Sequence, residues 1–151
     1  TGRLILRLYD AYQDPKYKKA ADLLRKQIDW QPRNRAGGFW HKLKYPAQIW
    51  LDGLYMIEPY YAEYTKRFGN KEAYADIVHE FVLMEQKARD TKTGLLYHGW
   101  DESRQQFWAD KQTGLSQSFW SRAMGWYHVA LVEVLDVMDA NHPERKKLLK
   151  S

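Results

Sequence analysis

The sequence of 151 residues contains no cysteine, and this absence removes several kinds of chemistry at once. Such a chain has no disulfide framework, no thiolate metal ligand and no cysteine nucleophile. It also lacks a run of about 18 apolar residues, the length that a membrane-spanning helix requires. The glycine-rich loops that bind nucleotides and the GxSxG serine motif are absent as well. The composition, 44% hydrophobic and 28% charged, is otherwise that of an ordinary globular chain.

Aromatic residues, in contrast, are abundant: 15% of the chain, with 7 Trp and 11 Tyr. Trp and Tyr present flat surfaces that stack on sugar rings or nucleobases, but they also fill hydrophobic cores. The net charge of +5 favours acidic partners such as nucleic acid, anionic lipid or polyuronate sugars. The densest basic stretches, 16–19 and 145–150, resemble solvated helix faces. We therefore expect neither a nucleic-acid partner nor a membrane.

Apolar residues recur at helical spacing along most of the chain. Asp14 is positioned to cap a helix whose first residue is Pro15. The predicted helices cover 3–12, the stretch after Asp14, 47–68 with a bend or break at Pro59, 71–89, 119–140 and a last segment from 144. Residues 31–45 are predicted as a loop and 90–116 as a β-hairpin or ordered loop. This pattern predicts an all-α fold of antiparallel helix pairs, with loops that gather at one end and form a site.

No signal peptide is visible. The chain begins at Thr1 without a methionine, inside a predicted helix, and its last helix begins without a partner. We therefore expect this sequence to be a portion of a larger domain.

Asp52 is the first candidate for chemistry. In the segment 47–57 only Gln48 and Asp52 are polar, and their spacing predicts one shared helix face. A carboxylate in apolar surroundings must find a partner, or its pKa must rise. A raised pKa suits a general acid. The alternative is a structural aspartate that accepts a hydrogen bond from a loop amide.

A second cluster is the segment 118–127, where Arg122 is the sole charge among aromatic residues. Such an arginine typically binds a carboxylate and stacks on a ring, although a core ion pair is the alternative. His41 and His98 lie in aromatic loops and are candidate metal ligands, acid–base groups or hydrogen-bond donors. The metal-binding patterns HxH and HExxH are absent, so we expect no metal. The usual second glycosidase carboxylate is not evident, and its candidates are Asp101, Glu102 and Asp110.

Four motifs occur in order along the chain: GGFWHKLKYPAQIWLDGLYM (37–56), TGLLYHGWDES (93–103), FWADKQTG (107–114) and FWSRAMGWY (119–127). With them the chain resembles the unsaturated rhamnogalacturonyl hydrolases, glycoside hydrolase family 105, which are related to the unsaturated glucuronyl hydrolases of family 88. The resemblance implies that residues 1–151 are an internal part of a single catalytic (α/α)6 barrel, roughly two-fifths of it on the usual scale of domain sizes, with a short β-hairpin or loop insertion.

The resemblance also implies an activity. The family removes a 4,5-unsaturated galacturonic acid from the non-reducing end of lyase-cut rhamnogalacturonan, by hydrating the C4–C5 double bond. Asp52 matches the general acid and base of the family. The matching pocket residues, as implied substrate-binding groups, are His41, His98, Trp120, Arg122 and Trp126. A second active-site aspartate is expected ahead of Thr1.

The partner implied is an acidic oligosaccharide, and the resemblance implies no cofactor or metal. A cytoplasmic location is expected, because short unsaturated products are often imported before cleavage. Three alternatives stay open: a glucuronyl hydrolase acting on glycosaminoglycan fragments, a non-catalytic carbohydrate-binding helical domain, and a basic binder of single-stranded nucleic acid.

Overall fold

The computed structural model describes residues 2–69 and 71–151, which form six helices and two short strands. The helices are α1 (Gly2–Tyr12), α2 (Pro15–Trp30), α3 (Leu51–Phe68), α4 (Ala73–Ala88), α5 (Ser121–Val137) and α6 (Arg145–Leu148), and the strands are β1 (Gln48–Trp50) and β2 (Gly99–Asp101). The prediction of an all-α class is confirmed. Within the described ranges, no helix combines the length and the apolar character needed to cross a membrane.

The connection between α1 and α2 has the predicted cap. The Asp14 side chain accepts a hydrogen bond from the backbone N–H of Lys16 at 2.9 Å, and Pro15 is the first residue of α2. Helix α3 is central in the described part of the chain. It packs most extensively against α5 and also contacts α1, α2 and α4.

The start of α3 differs from the prediction. Residues 48–50 are extended and pair with another loop, so the helix begins at Leu51 and not at residue 47. Gln48 and Asp52 therefore do not share a helix face, which corrects the predicted spacing argument. Of the bend or break predicted at Pro59, the break is not observed, since α3 continues to Phe68. Buried side chains on both sides of Pro59 contribute packing that outweighs one lost backbone hydrogen bond.

The two strands join distant parts of the chain. They pair antiparallel, with Gln48 opposite Asp101, Ile49 opposite Trp100 and Trp50 opposite Gly99. The extended segment predicted in the loop 90–116 is thus present. It pairs with β1, and its Trp100 also forms an antiparallel bridge with Leu115 of the same loop. This pairing brings the loop that follows α4 to the N-terminus of α3.

The core explains part of the aromatic content. Tyr60, Tyr61, Tyr74 and Tyr127 are buried, and the Tyr60 hydroxyl donates to the carbonyl of Ala21 at 2.6 Å. These tyrosines belong to the hydrophobic interior. Several tryptophans lie elsewhere, around the N-terminus of α3.

Candidate active site at the start of helix α3

Asp52 lies in the first turn of α3, directly after the strand β1. The N-terminal end of a helix carries a partial positive charge, which is a favourable place for a carboxylate. The side chain is 18% exposed, and its Oδ2 lies 3.1 Å from Nε2 of His98. The sequence predicted that a carboxylate in this apolar segment needs a partner, and the structure shows one. The pair brings together two predicted site residues that lie 46 positions apart.

The ring of His98 is held on several sides. Its backbone carbonyl accepts from the N–H of Leu51 at 3.0 Å, which couples it directly to the start of α3. Its ring makes edge contacts with Trp50 and Trp120, with centroid distances of 5.1 and 4.9 Å. These contacts fix the ring orientation so that Nε2 faces Asp52.

His41 belongs to the same aromatic cluster, which consists of the contacting rings of His41, Trp50, His98 and Trp120. Its ring stacks on Trp50 at a centroid distance of 4.5 Å, and its backbone N–H donates to the carbonyl of Gln48 at 2.7 Å. Burial, aided by the neighbouring charge of Lys42, lowers the pKa of His41 to about 4, although Asp52 acts in the opposite direction. His41 is therefore neutral at pH 7, and a neutral imidazole offers one donor and one acceptor.

A buried carboxylate that sequence reasoning missed anchors the loop carrying His41. Glu80, on α4, is 2% exposed and accepts the backbone N–H of Phe39 at 3.0 and 3.2 Å. Arg33 pairs with Glu80 at 3.2 Å and lies over the ring of Phe39 at 3.7 Å. Burial raises the pKa of Glu80 to about 8, against the lowering effect of Arg33 and the Phe39 amide.

Glu58, on α3, is a second buried carboxyl group near Glu80. It is fully enclosed, and burial together with the charge of Glu80 raises its pKa well above the usual range. Helix α3 therefore carries a fully buried carboxyl group in addition to Asp52. Glu80 is preceded by Ile77 and Val78 and followed by Phe81, all buried, so its position on the apolar seam of α4 was the available signal.

Arg122 is exposed near the start of α5, and its guanidinium lies over the ring of Trp120 at 3.9 Å. Within residues 2–69 and 71–151, no carboxylate forms an ion pair with it. The stacking on a ring was predicted, whereas the alternative of a core ion pair is not observed. Trp126 packs against Tyr55 of α3 at a centroid distance of 4.5 Å. The cation is thus free to bind an anion from solution.

Two cavities flank the aromatic cluster. The first, of about 220 Å³, is lined by His41, Trp50 and Gly53 and reaches Glu58 and Glu80. The second, of about 420 Å³, is lined by Trp50, His98, Gly99, Phe107, Trp108, Ser116, Gln117 and Ser118. Trp50 borders both. Trp120, Arg122 and Trp126 line neither, although Trp120 contacts His98.

The three candidates for a second acid have structural partners. Asp101 is fully buried and accepts the backbone N–H groups of Ser103, Gln105 and Gln106, each at 2.9 Å. Glu102 accepts the N–H groups of residues 35 and 36, and Asp110 caps the turn that ends at residue 114. In the part of the chain that the structure describes, no three His, Asp or Glu side chains form a metal-binding group.

The arrangement therefore consists of one carboxylate with a histidine partner, a neutral histidine, stacking rings and an unpaired arginine. The carboxyl group of Asp52, held in place by His98, belongs to a residue type that can act as a general acid or base toward a bound molecule. An exposed guanidinium can bind a carboxylate through two parallel hydrogen bonds. Together these groups suit proton transfer on an anionic, ring-shaped substrate.

Comparison with known proteins gives consistent findings. The model of Glycosyl Hydrolase Family 88 matches residues 1–151. A solved glycoside hydrolase from family 105 of C. acetobutylicum has 48% identity and a TM-score of 0.95, over 99% of this chain and 41% of that one. A possible family 105 member from Salmonella enterica has 25% identity and a TM-score of 0.77, over 99% and 39%.

A curated relative, the unsaturated rhamnogalacturonyl hydrolase YesR of Bacillus subtilis, is 26% identical over 148 residues, which are 94% of this chain and 41% of YesR. The chain thus spans about two-fifths of the length of these relatives. The family resemblance and the expected portion of an (α/α)6 barrel are confirmed.

Proposed function

The chain belongs to Glycosyl Hydrolase Family 88, and from this premise we propose that it forms the acid–base part of an unsaturated uronyl hydrolase. The proposed reaction removes a 4,5-unsaturated galacturonic acid from lyase-cut rhamnogalacturonan oligosaccharides. The observation that carries the proposal is the contact between Asp52 and His98 at the start of α3. The activity stated in the name of YesR supports the choice of substrate.

Asp52 acts as acid and then as base in this proposal. Its carboxyl group gives a proton to C4 of the C4–C5 double bond, and positive charge develops at C5 and the ring oxygen. Water adds to C5 and gives its proton to the Asp52 carboxylate. The resulting hemiketal opens to a C5 ketone, and the hemiacetal left at C1 expels the next sugar as an alcohol. One carboxylate thus serves both proton steps, whereas conventional glycosidases need two.

The neighbouring groups have binding roles. His98 orients the Asp52 carboxylate through the contact of 3.1 Å and shares its proton. Arg122 binds the uronate carboxylate through its unpaired guanidinium, which stacks on the ring of Trp120. Neutral His41 binds a sugar hydroxyl, and Trp126, which packs against Tyr55, is a proposed substrate contact from α5. The proposal sets the reaction in the cytoplasm, where imported short oligosaccharides would be cleaved.

The test uses the full-length protein with Asp52→Asn. We expect turnover of the unsaturated disaccharide to fall by about 10²- to 10⁴-fold, the usual effect of losing a general acid, while the thermal unfolding transition is retained. Asp136→Asn is the matched control, since Asp136 is an exposed acid of α5 that lines neither cavity, and it should leave turnover unchanged. Near-normal turnover by Asp52→Asn would remove Asp52 from the chemistry.

The match to family 88 favours one second candidate, an unsaturated glucuronyl hydrolase acting on glycosaminoglycan fragments. The two candidates share the Asp52 chemistry and differ in the sugar attached to the uronate. Comparing kcat/KM for the rhamnose-linked and the hexosamine-linked unsaturated disaccharides decides between them. The rhamnose-linked substrate is expected to react faster.

A further inference from the structure

Trp50 connects the two histidines of the aromatic cluster. Its indole stacks on the ring of His41, with the two ring planes 8° apart, and meets the ring of His98 edge-on at a centroid distance of 5.1 Å. Trp50 also borders both cavities at the start of α3. The orientation of this one indole therefore affects both histidines that the proposed reaction uses.

The indole N–H of Trp50 has a buried acceptor. Gln48 lies two residues earlier in β1, on the same face of the strand, and is 1% exposed. Its Oε1 accepts the indole N–H at 3.1 Å, and because an indole nitrogen only donates, the amide oxygen must face it. The amide nitrogen of Gln48 has no hydrogen-bond partner within residues 2–69 and 71–151. The end of the amide that forms a bond is thus the end directed at Trp50.

The backbone of Gln48 is held independently of its side chain. Its carbonyl accepts the N–H of His41 at 2.7 Å, and its N–H donates to the carbonyl of Tyr45 at 3.4 Å. It also lies opposite Asp101 in the pairing of β1 with β2. None of these contacts involves side-chain atoms of Gln48, so a substitution of its amide leaves them in place. The role of the backbone in folding and the role of the amide can therefore be separated by experiment.

Two contacts connect the Gln48 amide with the proposed proton transfer. Trp50 contacts the ring of His98, and Nε2 of His98 lies 3.1 Å from the carboxylate of Asp52. An indole that loses its buried acceptor is free to turn toward water, and the ring of His98 then loses one of the two edge contacts that hold it. Displacement of a catalytic group by about 1 Å can lower a rate about 100-fold.

We propose that Gln48 is a positioning residue for the proton transfer: its amide orients the indole of Trp50, and the indole in turn holds His98 against Asp52. The inference rests on the proposed function and adds to it a residue outside the pocket. Gln48 lines neither cavity, so it acts through Trp50 and not by contact with substrate.

Gln48→Met in the full-length protein is the first test. Methionine keeps the unbranched shape of the side chain and removes the acceptor. We expect kcat for the unsaturated disaccharide to fall about 10- to 100-fold, because His98 is no longer held in place. KM should change much less, because the uronate carboxylate is proposed to bind Arg122, which stacks on a different tryptophan. A rise in KM with unchanged kcat would overturn the inference.

A double-mutant cycle separates this route from a general loss of packing. Trp50→Phe keeps a ring and removes the N–H, so adding Gln48→Met to it should lower kcat by less than about twofold further. A further fall of about tenfold would overturn the inference, since the effect would then not pass through the indole. Gln86→Met is the matched control, because Gln86 is an exposed glutamine of α4 that lines neither cavity, and it should leave kcat unchanged.

The orientation of Trp50 also has a readout that does not depend on activity. In protein labelled with fluorotryptophan, the fluorine resonance of Trp50 is identified by its loss in Trp50→Phe. Gln48→Met should shift or broaden this resonance, whereas Gln86→Met should not. Gln48→Glu keeps an acceptor oxygen, and burial favours its neutral carboxyl form, so it should keep the wild-type resonance and most of kcat.

Two different failures can be told apart by these measurements. An unchanged Trp50 resonance in Gln48→Met, or a loss of kcat in Gln48→Glu as large as in Gln48→Met, would overturn the role of the amide. If the wild type does not turn over the unsaturated disaccharide although Gln48→Met shifts the resonance, the proposed function fails while the orientation of Trp50 by Gln48 stands.

Discussion

Replacement of Arg122 separates a binding role from a structural one, because the two roles predict opposite results. Arg122 is exposed, stacks on Trp120 at 3.9 Å and has no carboxylate partner among the described residues. Removing an exposed stacking contact of this kind costs about 0.5–1 kcal/mol of the free energy of unfolding. Removing one partner of a buried ion pair would cost about 3–5 kcal/mol.

Substrate binding should respond more strongly than stability. A guanidinium that forms charged hydrogen bonds with the uronate contributes about 1–3 kcal/mol to binding. Arg122→Lys keeps the charge but loses the planar pair of donors, so KM should rise about 5- to 150-fold. The free energy of unfolding should change by no more than about 1 kcal/mol.

The assay combines calorimetry with kinetics on two substrates, the free uronate and its methyl ester. The wild type should bind the ester less tightly, and Arg122→Lys should discriminate little between the two. A loss of 3 kcal/mol or more in stability with unchanged KM would refute the binding role. Equal binding of acid and ester by the wild type would refute it as well.

Three further predictions concern the framework of the site. Glu80→Ala leaves the buried N–H of Phe39 without its acceptor and should reduce the free energy of unfolding by about 2–4 kcal/mol, measured by urea titration, whereas an unchanged midpoint would contradict the anchoring role. Gly114→Ala should destabilise by about 2 kcal/mol or more, because Gly114 has φ +82° and a Cβ there would collide with the carbonyl oxygen of Asp101. The pKa of His41 is lowered to about 4, so the unfolded state binds more protons between pH 6.5 and 4, and stability should fall across that window as the pH falls. His41→Asn should reduce the loss of unfolding free energy across that pH window by about 1 kcal/mol, a value that allows for the exposed part of the ring. An identical pH dependence of stability in wild type and variant would exclude His41 as its source.

The parts of the fold that depend on local sequence were predictable. The cap of Asp14 and the first position of Pro15 follow from the chemistry of the chain within a few residues. The helical course of α3 and α5 follows from apolar spacing. The start of α3 could not be predicted this way, because residues 48–50 adopt an extended form only when paired with 99–101, about 50 positions later.

The candidate residues of the site could be chosen from the sequence, whereas the contacts between them could not. Asp52 was expected to need a partner because it is an acid in an apolar segment. The identity of that partner, His98, depends on the long-range pairing of β1 with β2, which brings His98 to the start of α3. Glu58 and Glu80 were missed because glutamates on helices are ordinarily solvated. Their burial depends on the packing of α3 against α4 and of the His41 loop over both.

In the proposed reaction, Asp52 delivers a solvent-derived proton to C4 of an unsaturated uronate. The most direct measurement is turnover of the unsaturated rhamnogalacturonan disaccharide by the full-length protein in D₂O, followed by NMR of the released uronate. We expect deuterium at C4, together with no turnover of the saturated galacturonate disaccharide, which has no double bond to protonate. A product without deuterium at C4, or cleavage of the saturated disaccharide, would contradict the hydration mechanism.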